Sequence, residues 1–132
     1  MGLDCSHDAF HGAYSAFNRF RQIIAKVMGG SFPPHEDPEL EANAWYWEGD
    51  DYSKETHPGL YAFMMHSDCD GDMSPRICKC VADEMEVLLP EIEKHGMGGG
   101  HIEAAGGYKA VAERFIAGCR AAHEANEPLE FC

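Results

Sequence analysis

Basic residues are scarce in this chain. Ten Lys and Arg stand against 23 Asp and Glu, a formal net charge of −13 at neutral pH. A surface this acidic repels phosphate backbones and anionic headgroups, which disfavours ordinary nucleic-acid and membrane-surface binding. The charge is left with three roles: solubility, attraction of a cation or a basic protein surface, or imitation of nucleic acid. Long apolar runs are missing too. The run Leu60, Tyr61, Ala62, Phe63, Met64, Met65 falls far short of the roughly 20 residues a membrane-spanning helix needs. No basic stretch followed by an apolar one opens the sequence, so no secretory leader is expected and the expected compartment is the cytoplasm. Internal repeats are absent.

What remains is a globular composition, 45% hydrophobic with 25% charged residues in 132 positions. That fits one domain, 1–132, long enough to bury a core without staples. Six cysteines (Cys5, Cys69, Cys78, Cys80, Cys119, Cys132) without a secretory leader point away from a disulfide framework. Cys119 falls on an apolar helical stripe and reads as core, since a free thiol packs as a small hydrophobe. Cys78 and Cys80 are two apart on a helix and face different ways, so they do not act as a pair. Cys132, the last residue, is expected to fray.

Periodicity predicts an α+β fold: three main helices packed on a small two- to three-stranded sheet, with a long irregular loop at 31–58. Residues 2–5 read as an edge strand. Ser6 reads as an N-cap with Asp8 in the first turn. Phe10, Ala13, Tyr14, Phe17, Ile24, Val27 and Met28 then recur at helical spacing as far as Gly29 and Gly30. The 31–58 stretch holds Pro33, Pro34, Pro38 and Pro58 and sustains neither period, with one short helix expected near 38–44. The apolar run over 59–66 reads as a buried strand. Ser74 and Pro75 mark the start of the next helix, whose stripe is Cys78, Val81, Ala82, Met85, Leu88, Leu89 and Ile92. Pro90 is expected to kink or divide it, and Gly96 to end it. A flexible Gly-rich connection at 96–100 leads to a final helix, from 103 or 108 to 126, burying Tyr108, Val111, Ala112, Phe115, Cys119 and Ala122. Pro128, Leu129, Glu130 and Phe131 suggest a short terminal strand.

One stretch concentrates chemistry: His66, Ser67, Asp68, Cys69, Asp70, Gly71, Asp72. Carboxylates at alternate positions of a loop are how hard divalent cations such as Mg, Mn or Ca are held, and Gly71 allows a tight turn. An EF-hand loop fails in either register: counting from Asp68 puts Lys79 where the bidentate Glu belongs, and counting from His66 puts Ile77 there. The bland alternative is a polar turn whose acids suit the following helix N-terminus. A second locus is Cys5, His7 and His11, with Asp4 and Ser6 among them. His7 and His11 are four apart and would share one helix face. If the N-terminal strand pairs with the 59–66 strand, Cys5 and His7 converge with His66 and Cys69 into a zinc set of two thiolates and two imidazoles. Among Trp45, Tyr46 and Trp47, Trp45 and Trp47 are candidates to stack on a ligand or anchor a partner, against the alternative that one plugs the core. Gly98, Gly99 and Gly100 before a helix read as a linker more readily than as a phosphate cradle.

Parts of the central stretch resemble known enzymes. His66, Asp68, Asp70 and Gly71 after an apolar run look like the first metal motif of DHH-type phosphoesterases. Asp68, Asp70 and Gly71 also resemble the nucleophile loop of haloacid-dehalogenase-like hydrolases. Either resemblance implies a metal-dependent phosphoester hydrolase with Asp68 and Asp70 as ligands, or as nucleophile and acid/base. The second carboxylate cluster that those folds need, and the Lys of the dehalogenase fold, have no counterpart downstream.

A broader resemblance runs through most of the chain outside 31–58. Gly2, Leu3, Asp4, Cys5, Ser6 and His7, the stretch from His11 through Tyr14 to Phe17, the 66–72 loop, and the stretch from Arg114 to Ala122 look like a group of small bacteriophage and prophage proteins with no assigned activity. It implies a setting, the cytoplasm of a bacterial host, and no chemistry. The expectation is thus a small acidic binding domain holding a divalent cation or a small polar ligand at 66–72. The alternatives are an acidic protein that blocks a basic host surface, such as a defence or nucleic-acid-handling factor, and the phosphoester hydrolase. No direct nucleic-acid contact and no membrane are expected.

Overall fold

The computed structural model describes residues 2–28, 30–31, 46–47, 56–67 and 70–132. They form a small α+β fold in which the helices carry the bulk and three two-stranded antiparallel pairs lie at its margin. Among these residues no helix is long and apolar enough to cross a membrane.

The N-terminal strand is present as β1 (Gly2–Asp4), but the expected helix from Ser6 is not. Ser6–Asp8 is a single 3-10 turn in which His7 and Asp8 adopt left-handed backbone angles of +57° and +59°. The N–H of Cys5 donates to the carbonyl of Phe10, and the chain returns as β2 (His11–Ala13) against β1. Only then does α1 (Tyr14–Val27) begin. Helical spacing of Phe10 and Ala13 misled because both pack inward from a hairpin, where tertiary contact rather than period sets burial. His7 and His11 therefore share no helix face. β1 also does not pair with the 59–66 segment, because that segment is a helix.

This is α2 (Pro58–Met65), and it corrects the expectation of a strand. A short apolar run suits a buried helix as well as a buried strand. Its ends decide the matter. Pro58 sits at the first helical position, and the Glu84 carboxylate accepts the N–H groups of Gly59 and Leu60 at 3.0 and 2.9 Å. Gly59 is required here: a Cβ on it would lie 2.3 Å from the backbone nitrogen of Val81. Glu84 and Val81 belong to α3 (Pro75–Glu93), which starts as expected with the Ser74 hydroxyl accepting the N–H of Ile77. Pro90 does not divide α3. Its position is exposed, and the helix runs on through it to Glu93.

The C-terminal helical region is split into α4 (Gly100–Ala104) and α5 (Tyr108–Glu124). The glycine connection before α4 is held by the Arg19 guanidinium, which donates to the carbonyl of Gly98 at 2.9 Å. α3 and α5 form the main helix pair, closed by α1 and α2. Phe17, Phe20, Phe63 and Phe115, all buried, meet at ring separations of 4.9 to 6.5 Å. The expected buried face of α5 is observed in full.

The terminal strand is present as β6 (Leu129–Glu130), paired with β5 (Asp72–Met73). Cys132 is pinned rather than frayed: its N–H and carbonyl both bond Asp4 at 3.0 Å, and Cys5 bridges Phe131. Residues 131–132 thus join the β1–β2 and β5–β6 pairs into one ribbon, ordered β2, β1, β6 with its extension, β5. The third pair is β3 (Gly30–Ser31) with β4 (Tyr46–Trp47). The helix expected near 38–44 lies outside the described residues.

Candidate functional site

The 66–72 loop is the passage between α2 and β5, and both its ends are fixed. At the α2 end the buried Arg21 guanidinium donates to the carbonyls of Phe63, Met64 and His66 at 3.3, 3.4 and 2.6 Å. Those are the carbonyls a helix C-terminus leaves without partners. Arg21 also donates to Asn18 Oδ1 at 2.9 Å and lies 4.7 Å above the Phe17 ring, so its plane is set by α1. With Glu84 at the other end, α2 has a carboxylate at its N-terminus and a guanidinium at its C-terminus, as its dipole favours.

His66 ties the loop across its own span. Its Nδ1 lies 2.8 Å from the carbonyl of Ser67 and its Nε2 lies 3.0 Å from that of Asp72. The ring stacks on Phe131 at a centroid distance of 4.0 Å. At the β5 end the N–H of Phe131 donates to the carbonyl of Gly71, which takes the +91° backbone angle that favours glycine. His66 is therefore a brace within the loop, and ligating a metal through it would break one of its two backbone contacts.

The acids that face outward come from the strands. Asp72 stands directly opposite Glu130 across β5–β6, while their neighbours Met73 and Leu129 also face each other and are buried. Directly opposite side chains in an antiparallel pair sit about 4.5–5.5 Å apart at Cβ, and like charges there are destabilising. Asp72, Glu130 and the adjacent Asp70 are all exposed. On the same outer face of the ribbon Asp4 is exposed between buried Leu3 and Cys5, and its carboxylate lies 3.2 Å from His11 Nδ1. Glu130 escaped the sequence reading. The signal was there, because in the alternation Leu129, Glu130, Phe131 the middle residue points away from the core.

The sequence candidates fall as follows. Asp68 and Cys69 lie outside the described residues, as does Trp45; Trp47 supplies backbone to β4, and its side chain is likewise outside them. Asp70, Asp72 and His66 share the loop. Cys5 comes near it by an unexpected route, through its bridge to Phe131. Its thiol is pushed up to about 12 by burial first, and then by the charges of Asp4 and Cys132. It is held as a neutral thiol, the opposite of what zinc requires. His7 is spoken for on both sides, with Nδ1 3.0 Å from the Ser6 hydroxyl and Nε2 3.2 Å from Glu127. His11 is partnered by Asp4 on the other strand of the hairpin. Among the described residues no group of three or more His, Cys, Asp or Glu is placed to hold a metal ion. Cys78 and Cys119 form a buried thiol pair between α3 and α5. The hydrogen bond between them lowers the first thiol's pKa and raises the second's.

The chain matches no known family, no curated protein and no solved structure.

Proposed function

We propose that the protein is a small acidic accessory protein of bacteriophage type, a binding domain whose site is the 66–72 loop. It takes a divalent cation or a small polar ligand there. One observation carries this reading: Asp72 faces Glu130 across a strand pair, beside Asp70, on a loop braced at both ends. Like charges so placed cost stability in the free protein, and a bound cation converts that cost into attraction. Carboxylate oxygens are the donors suited to Mg, Mn or Ca; the described acids do not complete a ligand set by themselves, and the reading takes Asp68, in the same loop by sequence, as the further donor.

Thermal melts in EDTA and in millimolar Mg, Mn, Ca and Zn test the proposal. A ligand bound only by the folded state raises stability as RT ln(1 + [L]/Kd). The wild type should melt higher with at least one hard cation, and D72N and E130Q should each lose that rise. Equal melting in EDTA and all four metals would rule out a cation as the ligand.

A second reading rests on the outer face of the ribbon, where Asp4, Asp72 and Glu130 are all exposed. Such a face suits a basic protein surface, and the fit is a blocking protein acting on a host factor. Charge reversal at Asp4 and Glu130 should then abolish partner capture, while D70N, which removes one oxygen donor from the loop, leaves it intact.

A further inference from the structure

The ribbon and the helical body meet at a second cleft, between the β1–β2 hairpin and α4, that the loop chemistry does not use. It has two chambers sharing His11 and His101. The outer chamber is open, about 340 Å³, and flanked by the two imidazoles over Gly2 and Gly12. The inner one is a slot of about 20 Å³, walled by Phe10, Ile102 and Val111 with Arg114 also in its lining. That is room for about one water or one methyl group, and apolar walls favour the methyl.

The polar groups stand at the mouth. Asp8 orients Arg114 by accepting its Nε–H at the backbone carbonyl and an Nη2–H at the carboxylate. The described contacts leave Nη1 without a partner, and Arg114 lines the slot. A guanidinium offers a planar fork of donors that matches a carboxylate. His101 is exposed on α4, and His11 is held by Asp4. A pocket with an apolar end, a fixed guanidinium and two imidazoles at its rim suits a small amphipathic anion.

We propose that this cleft binds a short aliphatic carboxylate, its head between Arg114 and His101 and its terminal methyl in the slot behind Phe10, Ile102 and Val111. The site shares no residue with the 66–72 loop and stands or falls separately from the cation reading.

The test is an NMR titration of the full chain in EDTA with butanoate, using butanamide and butylamine as matched controls. Butanoate should shift the backbone amides of 11–13 and 101–105 saturably, and neither control should. His101→Ala, at an exposed position, removes one charge-assisted hydrogen bond and should weaken binding about tenfold. Ala105→Leu fills the slot and should abolish it, with the thermal melt checking that the fold is kept. Absence of saturable shifts with butanoate, the same shifts from butanamide, or undiminished binding in both folded variants would overturn the proposal.

Discussion

The two flanks of the 66–72 loop treat charge in opposite ways. Upstream, α2 is bracketed by charges that match it, with Glu84 on the N–H groups of Gly59 and Leu60 and Arg21 on the carbonyls of Phe63, Met64 and His66. Downstream, β5 and β6 set Asp72 against Glu130 in direct register. Both are departures from neutrality, yet the first is internally satisfied and the second is open to solvent. The first explains why a segment of eight residues, too short for an isolated helix, is helical here. The second has no partner among the described residues and faces outward, so it is the flank where the proposed ligand would add stability. Charge that is already matched marks architecture; exposed charge opposed to its like marks a place to look for binding.

The largest effect should come from the upstream bracket. Arg21→Met keeps much of the apolar bulk but leaves the α2 carbonyls without their donor, and should cost about 3 kcal/mol in urea denaturation. A near-neutral result would mean the bracket does not hold the helix. Glu84→Ala should cost about 1–2 kcal/mol, the scale of a lost N-terminal cap, with Glu84→Gln recovering part of it through its remaining oxygen. On the downstream flank the sign reverses. In EDTA, Glu130→Gln should stabilise the protein by about 0.2–1 kcal/mol by removing a like-charge pair. Destabilisation by that variant in EDTA would erase the contrast between the flanks.

The smallest effect concerns an ordinary surface pair as a control. Lys79 and then Arg120 hold the Asp83 carboxyl below its usual 3.8 through hydrogen bonds at 2.7 and 2.9 Å. A depressed folded-state value means the stabilisation is present above pH 3.8 and lost as pH falls through the folded value. Acid titrations of wild type and Asp83→Asn should therefore diverge above pH 3.8 and converge below it. The gap should be small and shrink with salt, since these groups are largely exposed.

Much of the helical frame was legible. The Ser74 cap and Pro75 announce α3, and the stripe from Tyr108 to Ala122 announces α5, because both are local devices that act within one or two turns. The strand at Leu129 and Glu130 and the strand at Gly2 to Asp4 were legible as alternation. What misled were short segments whose identity is set from outside. Residues 58–65 are helical because Glu84 and Arg21, from two other helices, satisfy their ends. Ser6 reads as a helix cap, but its hydroxyl instead accepts the N–H of Glu130 at 2.8 Å and so ties the turn to the C-terminal arm. Arg21 itself passed unnoticed, although its place between Phe17 and Ile24 on α1 puts it on the buried face.

For the site, the sequence alone determined where acids gather and that Gly71 permits the turn, since both follow from residue type and neighbours along the chain. Only the tertiary structure decided that His66 is a brace, that Cys5 is buried beside the loop as a neutral thiol, and that Glu130 joins Asp72. Each of these depends on residues 129–132 returning to lie between β1 and β5. A pairing of positions nearly 60 residues apart leaves no trace in local spacing; it exists only because burying Leu3, Met73, Leu129 and Phe131 together brings their outward-facing neighbours into one row.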